Sequence, residues 1–377
     1  MFLIYAPPDK FGNLPPKTPL LSEEVMFTNN LAYCPKFFWK KYHIMQGCRD
    51  LTPGWMIRMR RNRVLNGILI IATGGIGDSL WCMPFCKAVR EKYPRSTILV
   101  VCNDRAMPAW QGVPFANLCV KDEFWNMQGL VRNADEVFDF AGIATNKQLG
   151  MGLDPVEAIF KSGDLPIPKN KKDCRPQLVV GLDEGKRAEA LLRREGIEVK
   201  QDKIISIALE SSTSNRNWVF EYVKDLTRQL ITDGFKVIWL GESTDYETRM
   251  LDDATNAIGA VNLVHRTSLR ETIAILALSD VFVGPASGLM VIATSLEIPT
   301  VGLFGAFNPK SRSKYYDKFI GLWHKIDCAP CNDHWTECRK GYPSPCMKVI
   351  SPGEVHEAVM TLHRKYPRPI IGKLPLE

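Results

Sequence analysis

The sequence predicts an α/β protein of two Rossmann-like doubly wound lobes with a ligand cleft between them. Three observations carry that prediction. Short apolar runs rich in β-branched residues alternate with segments of helical apolar spacing, and they do so in two separate series. The turns that leave several of the strands are rich in glycine or hydroxyl side chains. Between the two series, residues 141–175 break the rhythm with Gly142, Gly150, Gly152, Gly163, Pro155, Pro166 and Pro168.

The first series opens with the run Gly67 to Ala72, which suits a buried parallel strand. Leu80, Met83, Pro84, Ala88 and Val89 then predict a helix over 78–93, followed by strands at 97–102, 117–120 and 136–140. A short helix is expected over 155–161. In the second series the strands are 203–209, 235–240, 260–264, 280–284 and 299–304. Helices fall at 218–232, 246–255, 268–278 and 287–296, and a last one follows Ser351. Ser268 with Glu271 three residues on reads as a capping box. The expected organisation is an extension over 1–65, a first lobe over 66–174, a second over 175–349 and a terminal helix and tail over 350–377.

A length of 377 residues fits two or three domains at roughly 150 residues each. With 45% hydrophobic and 24% charged residues, the chain can bury a core and is not of disordered or collagen-like composition. No apolar run reaches the ~18 residues of a membrane-spanning helix, and the N-terminus lacks a basic leader region. A cytoplasmic protein is the expectation. The net charge of +7 is concentrated: Lys36 to Arg63 holds eight basic residues and one acidic, an excess of seven, interleaved with Phe37, Phe38, Trp39, Tyr42 and Trp55. Such a segment is either a solvated face or a contact for an anionic surface, a membrane more than a nucleic acid.

Three strand-to-helix turns could carry chemistry. The first holds Gly74, Gly75, Gly77 and Asp78; its glycine spacing is not the dinucleotide fingerprint. Asp78 could cap or complement the helix start, or serve as a general base. The second runs from Glu210 to Trp218, and offers Ser211, Ser212 and Arg216 to a diphosphate. A plain polar loop would use the same residues. The third, at Ser287 and Gly288, could present backbone N–H groups to a phosphate.

In this order and spacing the turns resemble the heptosyltransferases of glycosyltransferase family nine, which adopt the GT-B fold. Gly77-Asp78 matches the family's Gly-Asp pair, and Arg216-Asn217-Trp218 its Lys-x-Trp-like triplet. Ala286 to Ala293, Ile298-Pro-Thr300 and Leu303-Phe-Gly305 lie across its third motif. The Cys-x-Pro-Cys stretch and Met347 to Glu354 also look like members of that family. The resemblance covers roughly residues 66–365. It departs where the family's Asp and His are Ala286 and Val291 here, and where its Lys is Arg216. It implies an inverting transfer, with no metal required for catalysis, from a nucleotide sugar such as ADP-heptose to a saccharide or glycolipid acceptor of the lipopolysaccharide core class. Asp78 would be the base, Arg216 and the N–H groups near Ser287 would stabilise the leaving diphosphate, and Glu242 would bond the donor ribose.

Among eleven cysteines, Cys328, Cys331, Cys338 and Cys346 cluster around His334. Four thiols in such a span could close a structural zinc site; free or oxidised thiols are the alternative of equal weight. Two other functions remain open: a non-catalytic sugar-nucleotide-binding protein, motivated by Ala286 and Val291, and a glycosyltransferase acting on nucleic acid, motivated by the basic segment.

Overall fold

The computed structural model describes residues 25–26, 67–122, 130–131, 134–141, 153–242, 246, 248–332 and 337–368. The basic segment 36–63 lies outside them, as does His334. The chain divides into two units. Met1–Ile143 and Ile159–Pro168 form one; Ala144–Ala158 and Lys169–Glu377 form the other.

In the first unit, β2 (Gly67–Ile71), β3 (Thr97–Cys102), β4 (Leu118–Lys121) and β5 (Glu136–Asp139) lie parallel in the order β4-β3-β2-β5. A two-residue strand, β1 (Val25–Met26), pairs antiparallel with β4. Every residue of β3 is buried, as an apolar run with no alternation requires. The helix expected over 78–93 is two helices, α1 (Ile76–Trp81) and α2 (Met83–Lys92), joined at Cys82. Pro84 lies in the first turn of α2 and has no N–H to continue the α1 ladder. The Cys82 N–H turns instead to the Ser79 carbonyl, at 3.2 Å. α3 (Pro155–Ser162) is the short helix expected there.

The second unit holds a six-stranded parallel sheet in the order β11-β10-β9-β6-β7-β8. Its strands are β6 (Ile204–Ala208), β7 (Lys236–Leu240), β8 (Val261–Asn262), β9 (Val281–Pro285), β10 (Thr300–Leu303) and β11 (Phe319–Leu322). The helices are α4 (Leu182–Arg194), α5 (Phe220–Thr232), α6 (Thr248–Ile258), α7 (Leu269–Ala277), α8 (Gly288–Ser295), α9 (Pro345–Lys348) and α10 (Pro352–Lys365). α10 packs on α5, and Val355, Val359 and Leu362 join the core formed by Ile205, Ile207, Val283 and Trp239. Four elements went unread in the sequence: β1, α4, α9 and β11. Only Ala188 and Leu192 of α4 are buried, so its apolar stripe is thin among charges. The edge strand β11 is half-buried throughout, and Gly321 weakens its strand signal. No helix among the described residues is long and apolar enough to cross a membrane.

Candidate functional site

In an open α/β sheet, a crevice forms at the strand ends where the connections reverse direction. In the first unit the chain runs β2, β3, β4 to one side and then places β5 on the other side of β2. The glycine turn therefore leaves the strand at the reversal. Gly74 has φ +136°, and a Cβ there would meet the Asp78 Cβ and Oδ2 at 3.0 Å, so the position requires glycine on both counts. Asp78 is not the N-cap. It lies three residues after the N-cap Gly75, whose N–H donates to Asp78 Oδ2 at 2.8 Å. The turn is braced from β3: the Asn103 side-chain amide donates to the Gly74 carbonyl, and Asn103 Oδ1 accepts the Ala106 N–H at 2.8 Å. Gly77 is buried in α1, and Ser79 beside Asp78 accepts a hydrogen bond from Trp110 at 2.9 Å. Asp78 itself is partly exposed.

In the second unit the reversal falls between β6 and β9. The loop after β6 and the turn after β9 flank it, and Arg216 ties them together. Its Nη1 donates to the Ala286 carbonyl at 2.7 Å, Nη2 to Ser212 Oγ at 2.8 Å and Nε to Thr213 Oγ1 at 2.8 Å. The loop is closed on itself by Asn217 Oδ1, which accepts the Ser211 N–H at 2.8 Å, while Ser211 Oγ donates to the Thr213 carbonyl. Trp218 is buried and donates to the Ile350 carbonyl at 3.0 Å, fixing the start of α5. One residue beyond Ala286, Ser287 is the N-cap of α8; its Oγ is buried and has no hydrogen-bond partner among the described residues. Gly288 opens the helix, whose first N–H groups have no partner within the helix by construction. A buried hydroxyl without a partner costs on the order of 1–3 kcal/mol, which an oxygen-rich ligand would recover.

Glu242 is exposed just past the end of β7, where Gly241 turns the chain at φ +114°. It shares the sheet edge with the Arg216 loop because all six strands are parallel. Ala286 and Val291, the departures from the resemblance, are both buried, and Val291 faces the core with an apolar side chain.

The sequence did not point to Phe307 or Arg312. Both follow β10 at the same edge and are buried; the Arg312 Cζ lies 4.3 Å from the Phe307 ring centroid and the Arg216 Cζ 6.0 Å. The Phe-Gly pair at 304–305 was the one nearby signal.

The structure lends the four-thiol zinc expectation no support. Among the described residues no group of three or more His, Cys, Asp or Glu side chains is placed to hold a metal ion. Cys346 is buried in the first turn of α9, and its thiol is pushed up to about 11 by burial first and then by Cys338, Cys331 and Cys328. A zinc ligand must shed that proton. Cys331, by contrast, is exposed.

The family model for glycosyltransferase family 9 (heptosyltransferase) matches residues 156–340. Lipopolysaccharide heptosyltransferase 2 of Salmonella typhimurium is 30% identical over 126 residues, a match covering 29% of this chain and 34% of that protein. The match thus spans about a third of that relative's length. The structure of E. coli ADP-heptose lps heptosyltransferase II is similar over 79% of this chain and 99% of that one, at a TM-score of 0.62 and 19% identity. E. coli heptosyltransferase WaaC with ADP-2-deoxy-2-fluoro heptose is similar over 78% and 99%, at a TM-score of 0.53 and 13% identity. With its three strand-end turns in place and this architecture beneath them, the chain has the GT-B fold and, over residues 156–340, resembles the heptosyltransferases of glycosyltransferase family 9.

Proposed function

We propose that the chain is an inverting glycosyltransferase that moves a sugar from a nucleotide-sugar donor to a saccharide acceptor. ADP-heptose is the candidate donor and lipopolysaccharide core the candidate acceptor class, because heptosyltransferases are the relatives. The observation that carries the reading is the pairing of Arg216 with the start of α8, next to the unpartnered Ser287 hydroxyl. A guanidinium, a hydroxyl and helix N–H groups together are a receptor for a diphosphate. Glu242, at the same sheet edge, is the proposed ribose partner.

In the proposed reaction Asp78 takes the proton of an acceptor hydroxyl as that oxygen attacks the anomeric carbon. The bond from that carbon to the diphosphate oxygen breaks on the opposite face, which inverts the centre. Arg216 and the N–H groups of α8 stabilise the negative charge that the leaving diphosphate gains. Each of these tasks falls to a residue of this chain.

A second reading, a sugar-nucleotide-binding protein without turnover, is favoured by one observation: buried, apolar Ala286 and Val291 stand where family members carry Asp and His. Melting the protein against a panel of nucleotide sugars tests both. A donor at a hundred times its Kd should stabilise by about 2.7 kcal/mol and raise the Tm, and the same donor should be consumed when a core saccharide is added. A Tm shift without consumption would favour the binding protein; no shift with any nucleotide sugar would sink both.

A further inference from the structure

The cysteine-rich segment is, among the described residues, a motif that the proposed chemistry leaves without a task. β10 ends at Leu303, and the next residues form a turn on which that segment sits. A Cβ on Gly305 would fall 2.5 Å from the Cys346 Sγ and 2.7 Å from the Met347 Sδ, so the close approach of α9 depends on glycine there. Both sulfur side chains are buried, Met347 completely. Asn332, within the segment, donates its N–H to the Ala306 carbonyl at 2.9 Å. Trp323, which follows β11, donates to the Gly305 carbonyl at 3.3 Å. Two residues beyond Gly305 lies Phe307, 1% exposed, with the Arg312 and Arg216 guanidinium groups over its ring. Arg216 in turn holds the Ala286 carbonyl, one residue before Ser287.

We propose that the cysteine-rich segment is a positioning element for the donor site: Cys346 and Met347, seated on Gly305, set the 305–307 turn, and Phe307 in that turn sets the Arg216 guanidinium. The inference rests on the donor reading above for its functional meaning. Its physical basis is that close-packed interiors transmit displacement rather than absorb it. A shift of the turn by a few tenths of an ångström moves the ring that both arginines share. The thiol of Cys346 then serves by shape and volume, in keeping with its burial.

The test uses the full chain and reads the Arg216 loop first without any ligand. The Arg216 and Asn217 N–H groups bond to the Thr213 and Ser214 carbonyls, at 3.2 and 3.0 Å, and report on the loop through hydrogen exchange. Gly305→Ala should speed exchange across 211–217, and adding Cys346→Ala, which removes the nearer of the two clashing sulfurs, should reverse part of that change. Phe307→Leu, which keeps an apolar side chain, should speed the same amides with α9 unchanged. ADP-heptose affinity, measured by calorimetry, should fall about threefold to tenfold in Gly305→Ala and in Phe307→Leu, and recover in part in the Gly305→Ala, Cys346→Ala variant. Unchanged exchange over 211–217 in Phe307→Leu would overturn the proposal, whether or not Gly305→Ala folds. No reversal at all by Cys346→Ala in a folded Gly305→Ala would overturn it too. If Arg216→Ala leaves ADP-heptose affinity intact, the donor reading fails separately, and the exchange result still decides the positioning claim.

Discussion

Arg216 is the residue whose surroundings say most about its work. A long cationic side chain loses rotamer freedom when held, and here Ala286, Ser212 and Thr213 hold it in one orientation. A pre-oriented guanidinium loses little more on meeting a diphosphate. Arg216→Ala should therefore remove a charge-assisted contact typically worth ~1.5–3 kcal/mol and weaken donor binding about tenfold or more. Calorimetry with ADP-heptose checks this, and an affinity equal to the parent's would mean that the phosphates bind elsewhere. Arg216 was legible in the sequence as a cation in a hydroxyl-rich turn. Its hold on Ala286, seventy positions away in the chain, was not, because a βα turn reveals nothing of its neighbour across the sheet. Asp78 was legible in the same way. Its exact helical position was not, since a Gly-Gly-x-Gly-Asp stretch allows several starts for the helix and only the Gly75 to Asp78 hydrogen bond chooses one.

Elements were legible where the local pattern and the packing agree. Apart from β1 and the edge strand β11, the strands of both sheets read directly as apolar runs, and α7 and α10 open with capping boxes at Ser268–Glu271 and Ser351–Glu354. Where tertiary contact supplies the stability, the pattern was silent. α4 is held by packing on α7 and by an Arg270–Glu184 ion pair rather than by a broad apolar face. The caps make a prediction of their own. The Glu354 carboxyl is held below its usual 4.5 first by the Ser351 N–H, then by the Ser351 hydroxyl and His324, against a smaller opposing effect of burial. Glu271 is lowered in the same way by Ser268. A carboxyl with a depressed folded pKa contributes stability that is present above about 4.5 and lost as pH falls through the folded value. Ser351→Ala should cost about 1 kcal/mol in a urea melt near neutral pH and should flatten the acid-side loss of stability. Equal denaturant midpoints for parent and variant at pH 7 would show that α10 is held by its core contacts alone.

At the scale of the molecule, two doubly wound sheets each reverse direction at an inner strand, and the chain places its unusual residues there. The Gly74–Asp78 turn follows β2 at one reversal; Ser212, Arg216 and Ser287 flank the other. The doubly wound plan was legible because strand, turn and helix repeat at regular spacing. The role proposed for the cysteine-rich segment was not, because four thiols look alike in a sequence whether they gather round a metal or pack one by one. The central claim is that the first of these turns supplies the base for sugar transfer. Asn caps and accepts much as Asp does, so Asp78→Asn should keep the hydrogen bond from Gly75, fold normally and bind the donor with parent affinity. Single-turnover transfer from ADP-heptose to a core saccharide is the direct measurement. The account predicts a loss of at least about a hundredfold in Asp78→Asn, the scale of a removed general base; turnover near the parent rate would contradict it and leave Asp78 as the closing residue of a helix cap.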